Sequence, residues 1–180
     1  MNRLYNGIDW LLSENRRETP RFCNSNAGNA MMAANLAASA KAAGITLTYF
    51  SLDKASTERV LPYCEVVDIS EDRLEPLIEC ESTGPNHVIF GTLHFACLAW
   101  RRYPVIKKLL GAGKNVIYLD TDIVVNRNYE EEILEILEKS ECDLFTQSNH
   151  NNLPCPSLFA LPRRSSCLIE SIYTKENVAE

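Results

Sequence analysis

Two aspartates with one residue between them, Asp120 and Asp122, follow the most apolar stretch of the chain in the run VIYLDTDIVV. In an extended backbone, residues i and i+2 project to the same side. Two carboxylates placed together in that way repel each other unless a cation joins them. A hard divalent ion such as Mn²⁺ or Mg²⁺ satisfies both through oxygen and keeps coordination positions free for substrate phosphates. Charge makes such an ion useful here. Lys and Arg total 18 against 24 Asp and Glu, a net charge of −6, and there is no basic tract. Such a chain is a poor grip for nucleic-acid phosphates, and a phosphate-bearing ligand would need a metal or local dipoles to bind.

Positioning these side chains falls to strands that alternate with helices. Asn115–Leu119 reads as a buried parallel strand because it is short and continuously apolar. Strands are also expected at Arg21–Cys23, Thr46–Leu52, Glu65–Ile69, Asp143–Gln147 and Ser157–Leu161. Helices are expected over the Ala-rich run that Gly44 ends, at Ser56–Leu61, from Ile89 to Ala112 with a kink or restart at Pro104, after Asn128, and over Ser165–Tyr173. Residues 3–12 carry Leu4, Ile8, Leu11 and Leu12 at helical spacing, which predicts an amphipathic N-terminal helix. Residues 70–86 are acidic and broken by Pro76, Gly84 and Pro85, and read as a loop. The alternation predicts an α/β fold with a mostly parallel sheet flanked by helices. Ligands of such sheets bind beyond the carboxyl ends of the strands. Three polar clusters fall there: Asn24–Asn26, Asp53 and Asp120–Asp122.

With 180 residues, 46% hydrophobic and 23% charged, the chain has the composition of one globular domain and not of a disordered segment. No secretory signal and no membrane span is expected from its hydropathy. Seven scattered cysteines without a CxxC pair read as reduced, mostly buried thiols, and the expected location is cytoplasmic.

Two enzyme classes place DxD after a strand. The haloacid-dehalogenase superfamily of phosphotransferases fits formally at Asp120, Asp122 and Val124, and implies a nucleophile and an acid/base. Its motif opens the core, however, and needs a later lysine and acidic pair. Only Lys139 and Lys175 follow here, and no later strand ends in an acidic pair. The chain more closely resembles the nucleotide-diphospho-sugar transferase family of GT-A glycosyltransferases. The resemblance covers residues 20–173. It is carried by CNSNAGNAMMAANLAASAKAAGI, TYFSLD, FACLAWRRYPVIKKLLGAGKNVIYLDTDIVV, DLFTQSN and PCPSLFALP, in that order.

This resemblance implies a GT-A fold with a Rossmann-like sheet, in one domain over 1–180. Residues 1–20 would be a helical extension, 21–147 the donor and metal part, and 148–180 a short acceptor-side part. It implies a UDP- or GDP-sugar donor and a glycan or other hydroxyl acceptor. Asp120 and Asp122 would hold Mn²⁺ or Mg²⁺. Asn24, Asn26, Asp53, Arg102, Asp120 and Thr121 would bind the nucleotide sugar, and Gln147 and Asn149 would lie at the reacting sugar. Asn149 stands where the family usually has Asp, and an amide cannot act as a general base. Cys155-Pro156-Ser157 replaces the usual Cys-x-Gly. His150 reads as a loop residue or as a third ligand or base. A dehalogenase-like phosphotransferase and a non-catalytic nucleotide-sugar-binding module are the alternatives.

Overall fold

The central strands of this protein are buried on both faces, and helices cover each face. The structure, a computed structural model, describes residues 2–9, 12, 19–71, 89, 91–148 and 154–172. Its strands are β1 (Leu4–Asn6), β2 (Arg21–Ser25), β3 (Thr48–Ser51), β4 (Glu65–Asp68), β5 (Val116–Leu119), β6 (Phe145–Ser148) and β7 (Pro154–Leu161). Its helices are α1 (Ala30–Ala42), α2 (Lys54–Val60), α3 (Leu93–Trp100), α4 (Arg102–Gly111), α5 (Glu130–Lys139) and α6 (Ser166–Ile172). The strands form one sheet in the order β1-β4-β3-β2-β5-β7-β6. The ladders from β1 to β5 are parallel, and β7 runs antiparallel between β5 and β6.

The period of two decides which core each side chain joins. Cys23, Tyr49, Val66, Ile117, Leu119 and Ala160 face α1, α2 and α5, packing on Ala33, Leu36, Ala37, Val60, Ile133 and Leu137. Their neighbours in sequence, Phe22, Phe50, Val67, Val116, Tyr118 and Phe159, face the other way onto Val105, Ile106 and Leu109 of α4 and Ile169 of α6. Phe22 anchors this second core, meeting Phe50 edge-on at 5.1 Å and Tyr118 at 5.3 Å. On the first side, α1 presents Ala30, Ala33, Ala34, Ala37 and Ala40 as a buried stripe. At its end Gly44 takes φ +78°, the left-handed conformation that closes a helix with least strain in glycine.

Topology concentrates the strand ends. From β2 the chain moves outward through β3 to β4, and after α3 and α4 it returns to place β5 on the other flank of β2. The order therefore reverses between β2 and β5, the switch point where an open α/β sheet leaves a crevice. β2 pairs with β5 at Arg21–Ile117 and Phe22–Tyr118, whereas it stays paired with β3 as far as Ser25–Ser51.

Two expectations change, and one left open is decided. Residues 4–6 form a strand, not part of an N-terminal helix. β1 pairs with β4 at Leu4–Val66, Tyr5–Val67 and Asn6–Asp68, and Gly7 N–H continues to the Asp68 carbonyl at 2.8 Å. The unpaired edge of β4 outweighs a helical period carried by four apolar residues. Of the two options expected at Pro104 the restart holds: the helical stretch from Ile89 to Ala112 contains two helices, meeting at Arg101, with Pro104 in the first turn of the second. The first is capped by Thr92, whose Oγ1 accepts Phe95 N–H at 3.2 Å. Finally, Cys97 is disulfide-bonded, so the thiols are not all reduced, while Cys23, Cys64, Cys142, Cys155 and Cys167 are free.

Most of the loop expected at 70–86 lies outside the described residues. So do residues 1, 10, 11 and 13–18 of the 1–20 extension and residues 149–153 and 173–180 of the acceptor-side part. Among the described residues, no helix is long and apolar enough to cross a membrane.

Candidate functional site

The three polar clusters come together because β3, β2 and β5 are neighbours and all three end at the same edge. Beyond β5 the backbone does not stay extended. It turns, with Ile123 N–H bonding to the Asp120 carbonyl at 3.3 Å. Asp120 and Asp122 therefore approach through a turn and not through strand alternation. Two further bonds fix this turn: Asp120 N–H donates to the Ser157 carbonyl of β7 at 2.6 Å, and Val125 N–H donates to Ser39 Oγ of α1 at 3.1 Å. Elements from both ends of the chain thus grip the Asp-Thr-Asp segment. Thr121 is half-buried within it, and Asp122 is exposed.

Two donors meet on one oxygen of Asp120. Its Oδ1 accepts from Tyr118 Oη at 2.8 Å and from Arg102 Nη1 at 3.1 Å. Oδ2 has no protein partner among the described residues. Burial pushes the Asp120 carboxyl above the ordinary aspartate range. Arg102 and the Tyr118 hydroxyl pull it back, and the charge of Asp122 adds to the rise. Among the described residues, no group of three or more His, Cys, Asp or Glu could hold a metal. Any ion here would thus take two protein carboxylates and complete its shell from the ligand or water, a coordination that Mg²⁺ often adopts with substrate phosphates.

Arg102 opens α4, and its side chain is only 11% exposed. The guanidinium lies 4.9 Å from the Tyr118 ring centre, 5.5 Å from Tyr103 and 5.8 Å from Phe159. Burial works against its charge, but Tyr118 and Asp120 beside it outweigh that, and the cation persists. Its Nε is buried without a hydrogen-bond partner in the protein.

Asn24 and Asn26 are 6% and 1% exposed, so they are buried and not part of a surface loop. Asn24 follows Phe22 by two residues on β2, as Asp120 follows Tyr118, and Phe22 and Tyr118 are register partners. Asn24 therefore belongs to the same sheet face as Tyr118. Its Oδ1 is buried with no hydrogen-bond partner in the protein. A buried acceptor in that state costs about 1–3 kcal/mol, which a ligand N–H or O–H would recover.

Asp53 has local work. Its Oδ1 accepts Ser56 N–H at 2.7 Å, capping α2, and its Oδ2 accepts Ala27 N–H at 2.8 Å, tying the end of β3 to the turn after β2. A hydroxyl network underlies it: Thr57 Oγ1 donates to Ser51 Oγ at 2.6 Å, and Tyr49 Oη donates to the Ser25 carbonyl at 2.8 Å.

Gln147 is the penultimate residue of β6 and is exposed. It is separated from β5 by the intervening β7. Two strand spacings of about 4.8 Å put it on the order of 10 Å along the edge from the Asp-Thr-Asp turn. Asn149 and His150 lie outside the described residues.

The reading of motifs alone missed Tyr118, Phe159 and Ser157. Tyr118 carried a usable signal, since a residue two before Asp120 shares its strand face. Phe159 and Ser157 carried none, because only the pairing of β7 with β5 brings them to the site.

No family model matches the chain, and no curated protein shows significant sequence similarity to it. The class that the fold defines is an α/β protein with a mostly parallel mixed sheet of seven strands flanked by helices.

Proposed function

We propose that the protein is a metal-dependent glycosyltransferase of GT-A type, moving a sugar from a UDP- or GDP-sugar to a hydroxyl acceptor such as a glycan. One observation carries the reading. The Asp120–Asp122 turn follows β5 at the switch point, and the buried, unpartnered Asn24 Oδ1 belongs to the neighbouring strand β2, two residues past the Phe22–Tyr118 register pair. A carboxylate pair and an orphan acceptor in that arrangement suit a ligand that is a metal-bound diphosphate at one end and a nucleoside at the other.

In this reading Asp120, through Oδ2, and Asp122 would hold Mn²⁺ or Mg²⁺. Such an ion neutralises the charge that develops on the departing nucleoside diphosphate. Asn24 accepts a hydrogen bond from base or ribose. Asn26 and Asp53 shape the pocket, Asp53 by holding the turn after β2 against α2. Arg102 acts mainly through Asp120, because its Nη1 is already engaged there. Thr121 presents its backbone and hydroxyl between the two carboxylates. Gln147 and Asn149 would orient sugar or acceptor hydroxyls without removing a proton. The amide at Asn149 favours one second reading, a nucleotide-sugar-binding module without turnover.

The test is a thermal-shift panel of UDP- and GDP-sugars with and without Mn²⁺. The expected result is stabilisation by one donor only when metal is present, by about 2.7 kcal/mol at a hundredfold excess over Kd, abolished in Asp122→Ala. Slow release of nucleoside diphosphate in water then separates the enzyme from the binding module. Release of phosphate from a monoester, with no nucleotide-sugar binding, would support the dehalogenase-like alternative. No response to any donor would overturn the proposal.

A further inference from the structure

Tyr118 is held on three sides. Its ring stacks on Phe159 at 4.9 Å and 25°, meets the edge of Phe22 at 5.3 Å, and carries the Arg102 guanidinium 4.9 Å from its centre. Little freedom is left to the ring, so the hydroxyl occupies a defined place at the carboxyl end of β5. An ionised carboxylate can only accept, so the phenol donates.

A carboxylate oxygen offers two good acceptor directions. Tyr118 Oη and Arg102 Nη1 both terminate on Asp120 Oδ1, at 2.8 and 3.1 Å. Rotating the carboxylate would break both bonds at once. The other oxygen, Oδ2, is left to whatever enters the cleft.

We propose that Tyr118 is a positioning residue that, together with Arg102, occupies Asp120 Oδ1 and presents Oδ2 as the one oxygen available for a divalent cation. This rests on the reading of Asp120 and Asp122 as a metal-holding pair. Partners behind a metal ligand commonly change metal affinity 10–100-fold when removed. A hydroxyl that fixes one rotamer of the ligand belongs to that group.

The experiment is calorimetric titration of Mn²⁺, alone and with UDP or GDP, into the full chain and into Tyr118→Phe, which keeps the ring and deletes only the oxygen. Mn²⁺ affinity is expected to fall about 10–100-fold. Nucleotide binding should recover at Mn²⁺ concentrations raised by the same factor, whereas Asp122→Ala should not recover. Unchanged Mn²⁺ affinity in Tyr118→Phe would overturn the positioning role and leave the metal reading standing. A variant that excess Mn²⁺ does not restore would make the hydroxyl a structural anchor, again overturning the proposal. Failure of the unaltered chain to bind Mn²⁺, with or without nucleotide, would sink the metal reading and this inference with it.

Discussion

Arg102 reaches Asp120 across the mouth of the cleft, Nη1 to Oδ1 at 3.1 Å, linking the first residue of α4 to the turn after β5. A basic residue near a phosphate-binding site would ordinarily be assigned to the phosphates. Here the arginine is mostly buried, lies over Tyr118 and Phe159, and is already paired. Its effect on a ligand passes through the carboxylate it holds.

Arg102→Lys should therefore not behave as a conservative change. Lysine keeps the charge but loses the planar fork and the stacking surface. Asp120 is partly exposed, which discounts the pair relative to a fully buried one. The expected cost is on the order of 1–2 kcal/mol at neutral pH, read by urea denaturation. Metal-dependent donor affinity should weaken in parallel. A variant with wild-type stability and wild-type donor affinity would contradict this.

The pH dependence of the metal-free protein follows from Asp120. Burial, opposed by Arg102 and Tyr118 and helped by Asp122, holds its folded pKa above the unfolded value of about 3.9. The folded state then keeps the proton longer. This contribution to stability is complete below the unfolded pKa and is lost as pH rises through the folded one. Asp122→Asn removes one cause of the rise. Its metal-free melting temperature should gain on that of the wild type as pH increases through the acid range. A gap that narrows over that range would show the sign to be wrong.

Asp53 should matter more to stability than its place at a cleft suggests. Asp53→Ala removes the cap on α2 and the tie to Ala27 N–H, two bonds of 2.7 and 2.8 Å. A cost of about 1–3 kcal/mol is expected from chemical denaturation. Donor affinity, measured where the variant is fully folded, should fall by less than tenfold. A loss of donor binding with unchanged stability would instead make Asp53 a direct ligand contact.

The free thiols should separate into two classes. Cys23 and Cys64 are buried, and burial, with neighbouring Glu65 adding to it, pushes the Cys64 thiol up to about 12. Cys142 and Cys167 are exposed. A thiol reagent at pH 8 should modify the exposed pair within minutes and reach the buried pair only in denaturant. Mass spectrometry of the labelled peptides reads the order. Early labelling of Cys23 would mean that the first core opens in the native state.

Local patterns carried much of this molecule. The β-branched and aromatic run at Thr48–Ser51, the apolar run at Val116–Leu119 and the alanine stripe of α1 each declare their element through propensity and period. The Asp-x-Asp spacing after β5 likewise declares a carboxylate pair through residue type and position alone.

Tertiary structure decided what neighbouring strands do to one another. Leu4–Asn6 became a strand because β4 had an open edge, which no pattern within residues 3–12 records. β7 entered between β5 and β6, supplying the Ser157 carbonyl that holds Asp120 N–H and the Phe159 ring under Tyr118. The burial of Arg102, the two donors on one oxygen of Asp120 and the orphan acceptor of Asn24 are likewise relations between residues far apart in the chain. Residue types and periods are properties of the linear sequence. Which oxygen of Asp120 remains free depends on the packing of β2, α4 and β7 around β5, and only the folded chain sets that.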